Sequence, residues 1–175
     1  MSLTISLITA IYNRAGTVRA SLESLHAQTL TTWQQVVIDG ASTDGTVEVI
    51  NSLPSQQRIL VSAPDQGIYY ALNKGIERAT GDILGVLHSD DVLAHAEVLS
   101  RVAAAFGDPG VDAVYGDLEY VTAGGAVVRH WRSGHYNRSA LRRGWMPPHP
   151  ALFLRRSVIE RWGGYDTQYR IAADY

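Results

Sequence analysis

A chain of 175 residues, 46% hydrophobic and 18% charged, can build one domain with a substantial core; disordered and fibrous classes are excluded. The absence of Cys excludes a disulfide framework, a thiolate metal site and a Cys nucleophile. The net charge of −2 hides an asymmetry, with 6 Lys/Arg against 14 Asp/Glu in residues 1–128 and 9 against 3 in residues 129–175.

An acidic first part suits cation binding. A basic last part suits an anionic partner such as a phosphate or a membrane face, and plain solvated surface explains either equally well. Residues 3–11 form a continuous β-rich run with no basic stretch before it, which predicts a strand buried on both faces rather than a signal peptide. No run of 18 apolar residues occurs to span a membrane. Val18, Leu22 and Leu25 have helical spacing within residues 16–28. Residues 35–38 read as a second strand ending in Asp39-Gly40. Residues 44–53 read as a helix capped by Ser42 or Thr43. A strand over 58–62, a helix over 68–79, a strand over 83–87, a helix over 94–106 and a strand over 113–115 continue the alternation. Residues 118–121 and 126–131 predict a hairpin around Gly124-Gly125, followed by a Trp/Arg/Pro-rich stretch. The β-α-β rhythm predicts an α/β domain, a mostly parallel sheet flanked by helices, with no internal linker. The sequence stops at Tyr175 without a helix-ending or tail composition, and a chain truncated at its C-terminus is expected.

In open α/β sheets ligands bind beyond the carboxyl ends of the strands. Asp39, Asp65 and Asp90-Asp91 follow three successive strands. Each alone reads equally as a helix-capping turn residue. Small residues between Asp39 and Thr46 permit sharp turns and close backbone approach, and the Asp39 carboxylate could accept hydrogen bonds from a base or ribose. Mg²⁺ binds through one or two carboxylates plus substrate phosphates. Adjacent carboxylates repel unless a cation or hydrogen bonds offset the repulsion. Asp90-Asp91 therefore reads either as a Mg²⁺ or Mn²⁺ site or as a solvated turn before a helix. Gly-x-Gly-x-x-Gly, the phosphate-binding Gly-rich loop with Lys, Gly-x-Ser-x-Gly and His-Glu-x-x-His are all absent, which disfavours dinucleotide, phosphate-loop, serine-hydrolase and zinc-protease readings.

The segments Ile8-Thr9-Ala10-Ile11-Tyr12-Asn13-Arg14, Asp39 to Thr46, Asp65-Gln66-Gly67-Ile68-Tyr69, Ala71-Leu72-Asn73-Lys74-Gly75, Leu87-His88-Ser89-Asp90-Asp91, Tyr115-Gly116-Asp117, His149 to Arg156, Gly163-Gly164-Tyr165-Asp166 and Ala172-Ala173-Asp174-Tyr175 occur in that order. Together they resemble the family 2 glycosyltransferases of the GT-A fold, a Rossmann-like nucleotide-diphospho-sugar transferase architecture. The later segments look most like bacterial enzymes that build surface polysaccharides or glycolipids. The resemblance implies one GT-A domain over 1–175, with a nucleotide-sugar-binding part over 1–117 and an acceptor-side part over 118–175. It implies that Tyr12 and Asp39 contact the nucleoside base with Asp65 nearby, that Asp90 lies near the ribose, and that Asp91 binds Mg²⁺ or Mn²⁺ on the diphosphate. Asp174 stands at the family's catalytic base. Three positions depart from the family pattern: Ser89 replaces the first Asp of Asp-x-Asp, Tyr70 replaces an Asp, and Ala173 replaces a Glu.

The activity implied is inverting transfer of a sugar from a UDP, GDP or dTDP donor to a hydroxyl of a saccharide or polyprenyl-linked acceptor. A cation would stabilise the leaving diphosphate and a carboxylate would take the acceptor proton. His149 is a further candidate for metal or phosphate contact; a hydrogen-bonded loop histidine is the other reading. The Arg-rich stretch 138–156, with Trp145 and Met146, is expected to face a polyprenyl diphosphate or an anionic membrane, giving peripheral contact at the cytoplasmic face. No nucleic-acid partner is expected. A sugar nucleotidyltransferase and a non-catalytic nucleotide-sugar-binding domain are the alternatives; the first usually carries a Gly-rich basic loop after its first strand, which this chain lacks.

Overall fold

The computed structural model describes residues 3–169. In chain order the elements are β1 (Ile5–Ile11), α1 (Val18–His26), β2 (Trp33–Asp39), α2 (Thr46–Asn51), β3 (Arg58–Ser62), α3 (Ile68–Arg78), β4 (Ile83–Val86), α4 (Val98–Ala105) and β5 (Ala113–Tyr115). The antiparallel pair β6 (Leu118–Val121) and β7 (Val127–Trp131) follows, then α5 (Arg138–Leu141), a 3-10 turn (His149–Ala151), β8 (Leu152–Arg155) and α6 (Arg156–Trp162). The main sheet has the order β3-β2-β1-β4-β8-β5, with β1 to β4 mutually parallel.

Every residue of β1 is buried, as a continuous apolar run at the sheet centre requires. Period-two alternation divides its side chains between two helical layers. Ile5, Leu7 and Ile11 face α1, α2 and α4, against Leu25, Ile50, Leu99 and Val102. Ile8 and Ala10 face α3 and α6, against Ala71, Leu72 and Ile159.

Three expectations need correction. Helix α2 begins at Thr46 behind Gly45, whose φ of 92° suits glycine; the Ser42 side chain is spent on Asp39 and does not cap it. Helix α4 begins at Val98, four residues later than its apolar pattern suggests. The preceding residues are pinned to the segment after α1 instead: Gln28 donates to the His95 carbonyl (2.9 Å) and accepts from the Leu99 N–H (3.0 Å). That amide oxygen supplies, from the loop after α1, the partner that an N-cap side chain would provide. The third is β8, which the sequence pattern misses. It lies between β4 and β5, antiparallel to both, with Phe153 over Gly85; a Cβ on Gly85 would meet the Phe153 ring at 2.6 Å.

A close approach to backbone atoms ties the start of β4 to β1. A Cβ on Gly81 would lie 2.7 Å from the Thr4 carbonyl oxygen and 2.8 Å from the Ser6 nitrogen, both backbone atoms of the central sheet. Gly81→Ala is expected to cost about 1–3 kcal/mol through overpacking. A thermal scan would register roughly 2–4 °C of lost midpoint per kcal/mol.

Candidate functional site at the β1/β4 reversal

The strand order reverses between β1 and β4, the place where open α/β sheets hold a ligand crevice beyond the carboxyl ends of their strands. The β1 exit is fastened to the β2 exit. Asn13, at φ 52° in the left-handed region that Asn tolerates, donates its N–H to Ser42 Oγ (2.8 Å) and accepts the Thr43 N–H (2.9 Å). Arg14 N–H donates to Thr46 Oγ1 (2.8 Å) and Ala15 N–H to Asp44 Oδ2 (3.0 Å). The Thr46 hydroxyl, and next the Ala15 N–H, hold the Asp44 carboxyl below its usual range.

Asp39, the last residue of β2, has no exposed surface. Its Oδ2 accepts the Ser42 N–H (3.0 Å) and the Ser62 hydroxyl (2.6 Å), and its Oδ1 accepts the Ser42 hydroxyl. Ala41 is held at φ 64° within this turn. As placed, Asp39 anchors the loop, with both oxygens engaged inside the protein. The groups left at the open rim are Tyr12, 59% exposed, and Asp65, half-buried. Both lie against Gly40, where a Cβ would meet Asp65 Oδ2 at 3.1 Å and the Tyr12 ring at 3.4 Å. Asp65 also accepts the Gly67 N–H at 2.9 Å, which starts α3.

Beyond the carboxyl end of β4, the segment 87–91 hangs from two buried hydroxyls. Thr9 Oγ1 donates to the Leu87 carbonyl (2.8 Å) and Ser21 Oγ to the His88 carbonyl (2.9 Å). The Asp91 N–H closes the turn onto His88 O at 3.2 Å. Ser89 is buried, Asp90 exposed and Asp91 half-buried. Burial pushes the Asp91 carboxyl up, His88 draws it down, and Asp90 raises it again. An elevated carboxyl means that the ionised form is disfavoured in the folded state.

His149 reaches this turn. Its ring lies 5.6 Å from that of His88, and its Nε2 is 2.7 Å from the Tyr165 hydroxyl. Tyr165 is clamped in turn by Asn73, whose side chain donates to the Tyr165 carbonyl and accepts its N–H, each at 2.8 Å. Asn73, Tyr165, His149 and His88 thus run in contact from α3 to the Asp90-Asp91 turn. The Nε2–Tyr165 pairing fixes the position of the His149 ring beside His88. Asp174 lies outside the described residues. The pattern search missed Thr9, Ser21, Ser62 and Asn73; the signal for the first was a polar residue inside an apolar strand.

The model of the family described as "Glycosyl transferase family 2" matches residues 6–162. The chain belongs to that family. A relative from Mycobacterium bovis, a "PGL/p-HBAD biosynthesis glycosyltransferase", is 34% identical over 174 residues, spanning 97% of this chain and 66% of the relative. The glycosyltransferase AglE of Haloferax volcanii is 28% identical over 169 residues, 92% of this chain and 55% of its own length. The chain therefore spans about two thirds or less of these relatives. Among solved structures, mannosyltransferase PcManGT from Pyrobaculum calidifontis, in complex with GDP-Man and Mn²⁺, superposes with a TM-score of 0.71 at 22% identity, over 93% of this chain and 47% of that one. S. aureus TarS with UDP-GlcNAc gives 0.75 at 18% identity, over 98% and 51%. These likenesses establish the family 2 chain as a GT-A fold.

Proposed function

We propose that this family 2 chain is the donor-binding core of an inverting glycosyltransferase, which moves a sugar from a nucleotide-diphosphate donor to a hydroxyl of a glycan or lipid-linked acceptor at the cytoplasmic face of a membrane. The observation that carries the reading is the strand-order reversal at β1/β4, with Tyr12 and Asp65 gathered at Gly40 beyond β1 and β2 and the Asp90-Asp91 turn beyond the carboxyl end of β4. The names of the mycobacterial relatives and of the two solved structures support the same class.

Tyr12 and Asp65 are assigned to the nucleoside, the exposed Asp90 to the ribose side, and Asp91 to Mg²⁺ or Mn²⁺. The donor set fits a cation that arrives with its diphosphate. Among the described residues no three His, Asp or Glu side chains converge to hold one alone. Mg²⁺ is commonly bound by one or two carboxylates, with phosphates and water completing the shell. When bound, such a cation supplies Lewis-acid stabilisation of charge on the leaving diphosphate. Asp174, nine residues beyond the clamped Tyr165, is assigned the acceptor proton.

Titration calorimetry with UDP, GDP and dTDP, each with Mn²⁺ or with EDTA, tests the reading. Cation-dependent binding of one nucleotide is expected, and no binding of any would overturn it. Asp174→Asn is expected to leave that binding unchanged and to slow transfer by roughly 10²-fold or more, the usual worth of a positioned general base. Transfer at the parental rate would place the base elsewhere.

A further inference from the structure

The Arg-rich stretch divides once folded. Arg155 turns inward onto the carbonyls of Val111, Phe106 and Asp108, and Arg156 onto those of Gly81 and Ala79. Arg129, Arg132, Arg138, Arg142 and Arg143 stay exposed, and among the described residues none of the five pairs with a carboxylate. No Asp or Glu occurs from residue 120 to residue 159, and among the described residues the one carboxylate bonded to the segment's backbone, Asp117, accepts the Ser133 N–H. The nearest acid on the hairpin, Glu119, is paired with His130 at 2.8 Å. The alternating register puts that pair on the hairpin face opposite Tyr120 and Arg129.

The segment bearing these cations is mounted rigidly. Asp117 accepts the Ser133 N–H (2.8 Å), the Ser133 hydroxyl donates to the Gly116 carbonyl (2.7 Å), and Tyr115 OH donates to the Gly134 carbonyl (3.0 Å). Trp145 closes the loop by donating to the Ser133 carbonyl (3.0 Å), with Tyr115 and Tyr136 edge-on to its ring. Exposed apolar side chains are interspersed with the arginines: Val127, Val128 at 65% and Tyr136 at 61%.

We infer that β7 and the loop through Arg143 form a docking surface for an anionic lipid bilayer. Five separate cations spread over a strand, a loop and a short helix suit an extended negative surface better than one phosphate. Aliphatic groups among them suit the headgroup boundary, where a basic segment with apolar neighbours gains from both contacts. A single-stranded nucleic acid would need open aromatic faces. On the hairpin the Arg129 guanidinium lies over both Tyr120 (5.3 Å) and Trp131 (5.7 Å), which leaves Tyr136 as an exposed ring rather than a row of stacking platforms. This inference stands independently of sugar transfer, because it concerns only the surface.

Co-sedimentation of the protein with vesicles of phosphatidylcholine, alone and mixed with phosphatidylglycerol, tests it. Binding is expected to rise with the anionic fraction and to fall with salt, as the charges are screened. The triple variant Arg138→Gln, Arg142→Gln, Arg143→Gln is expected to lose about tenfold or more in affinity for the anionic vesicles, given the worth of each basic residue near such a surface. Its thermal midpoint should stay at the parental value. The salt and headgroup dependence of the unaltered protein gives a second readout that needs no variant. Absent binding, binding indifferent to headgroup charge, or a triple variant that binds like its parent would overturn the inference. So would tighter binding to a polyadenylate strand than to the anionic vesicles.

Discussion

Asp91→Asn is expected to abolish cation-dependent nucleotide binding and to raise the thermal midpoint of the unliganded protein. The two effects share one cause. Asp91 sits half-buried on a turn suspended from Thr9 and Ser21, and burial is the largest influence lifting its carboxyl, with Asp90 adding to it and His88 opposing. A carboxyl elevated in the folded state binds its proton more readily there than in the unfolded chain. Stability is therefore fully present below the unfolded-state value and declines as pH rises through the interval up to the elevated value. Above that interval the ionised group costs stability, which a neutral amide of the same shape does not. Solvent screening at a half-buried position keeps the gain to at most about 1 kcal/mol, or roughly 2–4 °C in a chain of this size. Removing one member of a close charge pair costs about 2–5 kcal/mol, so nucleotide affinity with Mn²⁺ should fall by roughly two orders of magnitude or more. Calorimetry reads the second effect and thermal scans near pH 7 and pH 3 the first; the gain in midpoint should vanish at the lower pH. A lower midpoint at pH 7 would mean that the turn depends on the carboxylate for its shape.

The parallel core was legible because its signals are local and redundant. Apolar runs of strand length alternate with amphipathic helical segments, and a Gly or Asp marks most junctions. What escaped was set by distant partners. Residues 94–97 carry helical composition, yet Gln28 and Thr29 of the segment after α1 claim the carbonyls of His95 and Ala96. Strand β8 is four residues long and is defined by Gly85, which leaves room for Phe153. The site shows the same division. The Asp residues after the strands stood out as chemistry, but the hydroxyls and amide that aim them, on Thr9, Ser21, Ser42, Ser62 and Asn73, look like ordinary polar residues until the fold brings them within hydrogen-bond reach. Proximity in sequence shows which loops carry carboxylates. It does not show which carboxylate faces the crevice and which faces the core.

Asp39 is where that distinction has the largest consequence. The family resemblance places it on the nucleoside base, whereas in the fold it is fully buried and accepts three hydrogen bonds from Ser42 and Ser62. Asp39→Asn replaces one acceptor oxygen with a donor. The Ser42 backbone N–H cannot adapt, so the amide nitrogen must take the Oδ1 side. There the Ser42 hydroxyl, already accepting the Asn13 N–H, loses the only acceptor it donates to. Loss of a charge-assisted bond to the buried Asp39 position, with the half-buried Ser42 donor left unpaired, costs about 2–3 kcal/mol, so the midpoint should drop by roughly 4–12 °C. The β1 and β2 exits are joined through Ser42 and Asn13, so the wall carrying Tyr12 should loosen and nucleotide binding should fail with the stability. Asp65→Asn is the contrasting case. Asp65 is half-buried at the rim and, among the described residues, accepts the Gly67 N–H, which the amide oxygen can still accept. It should weaken nucleotide binding at an unchanged midpoint. If Asp39→Asn instead keeps the parental midpoint and loses only binding, its carboxylate meets the base directly, and the loop closes around the donor in a way that frees Asp39 from Ser42 and Ser62.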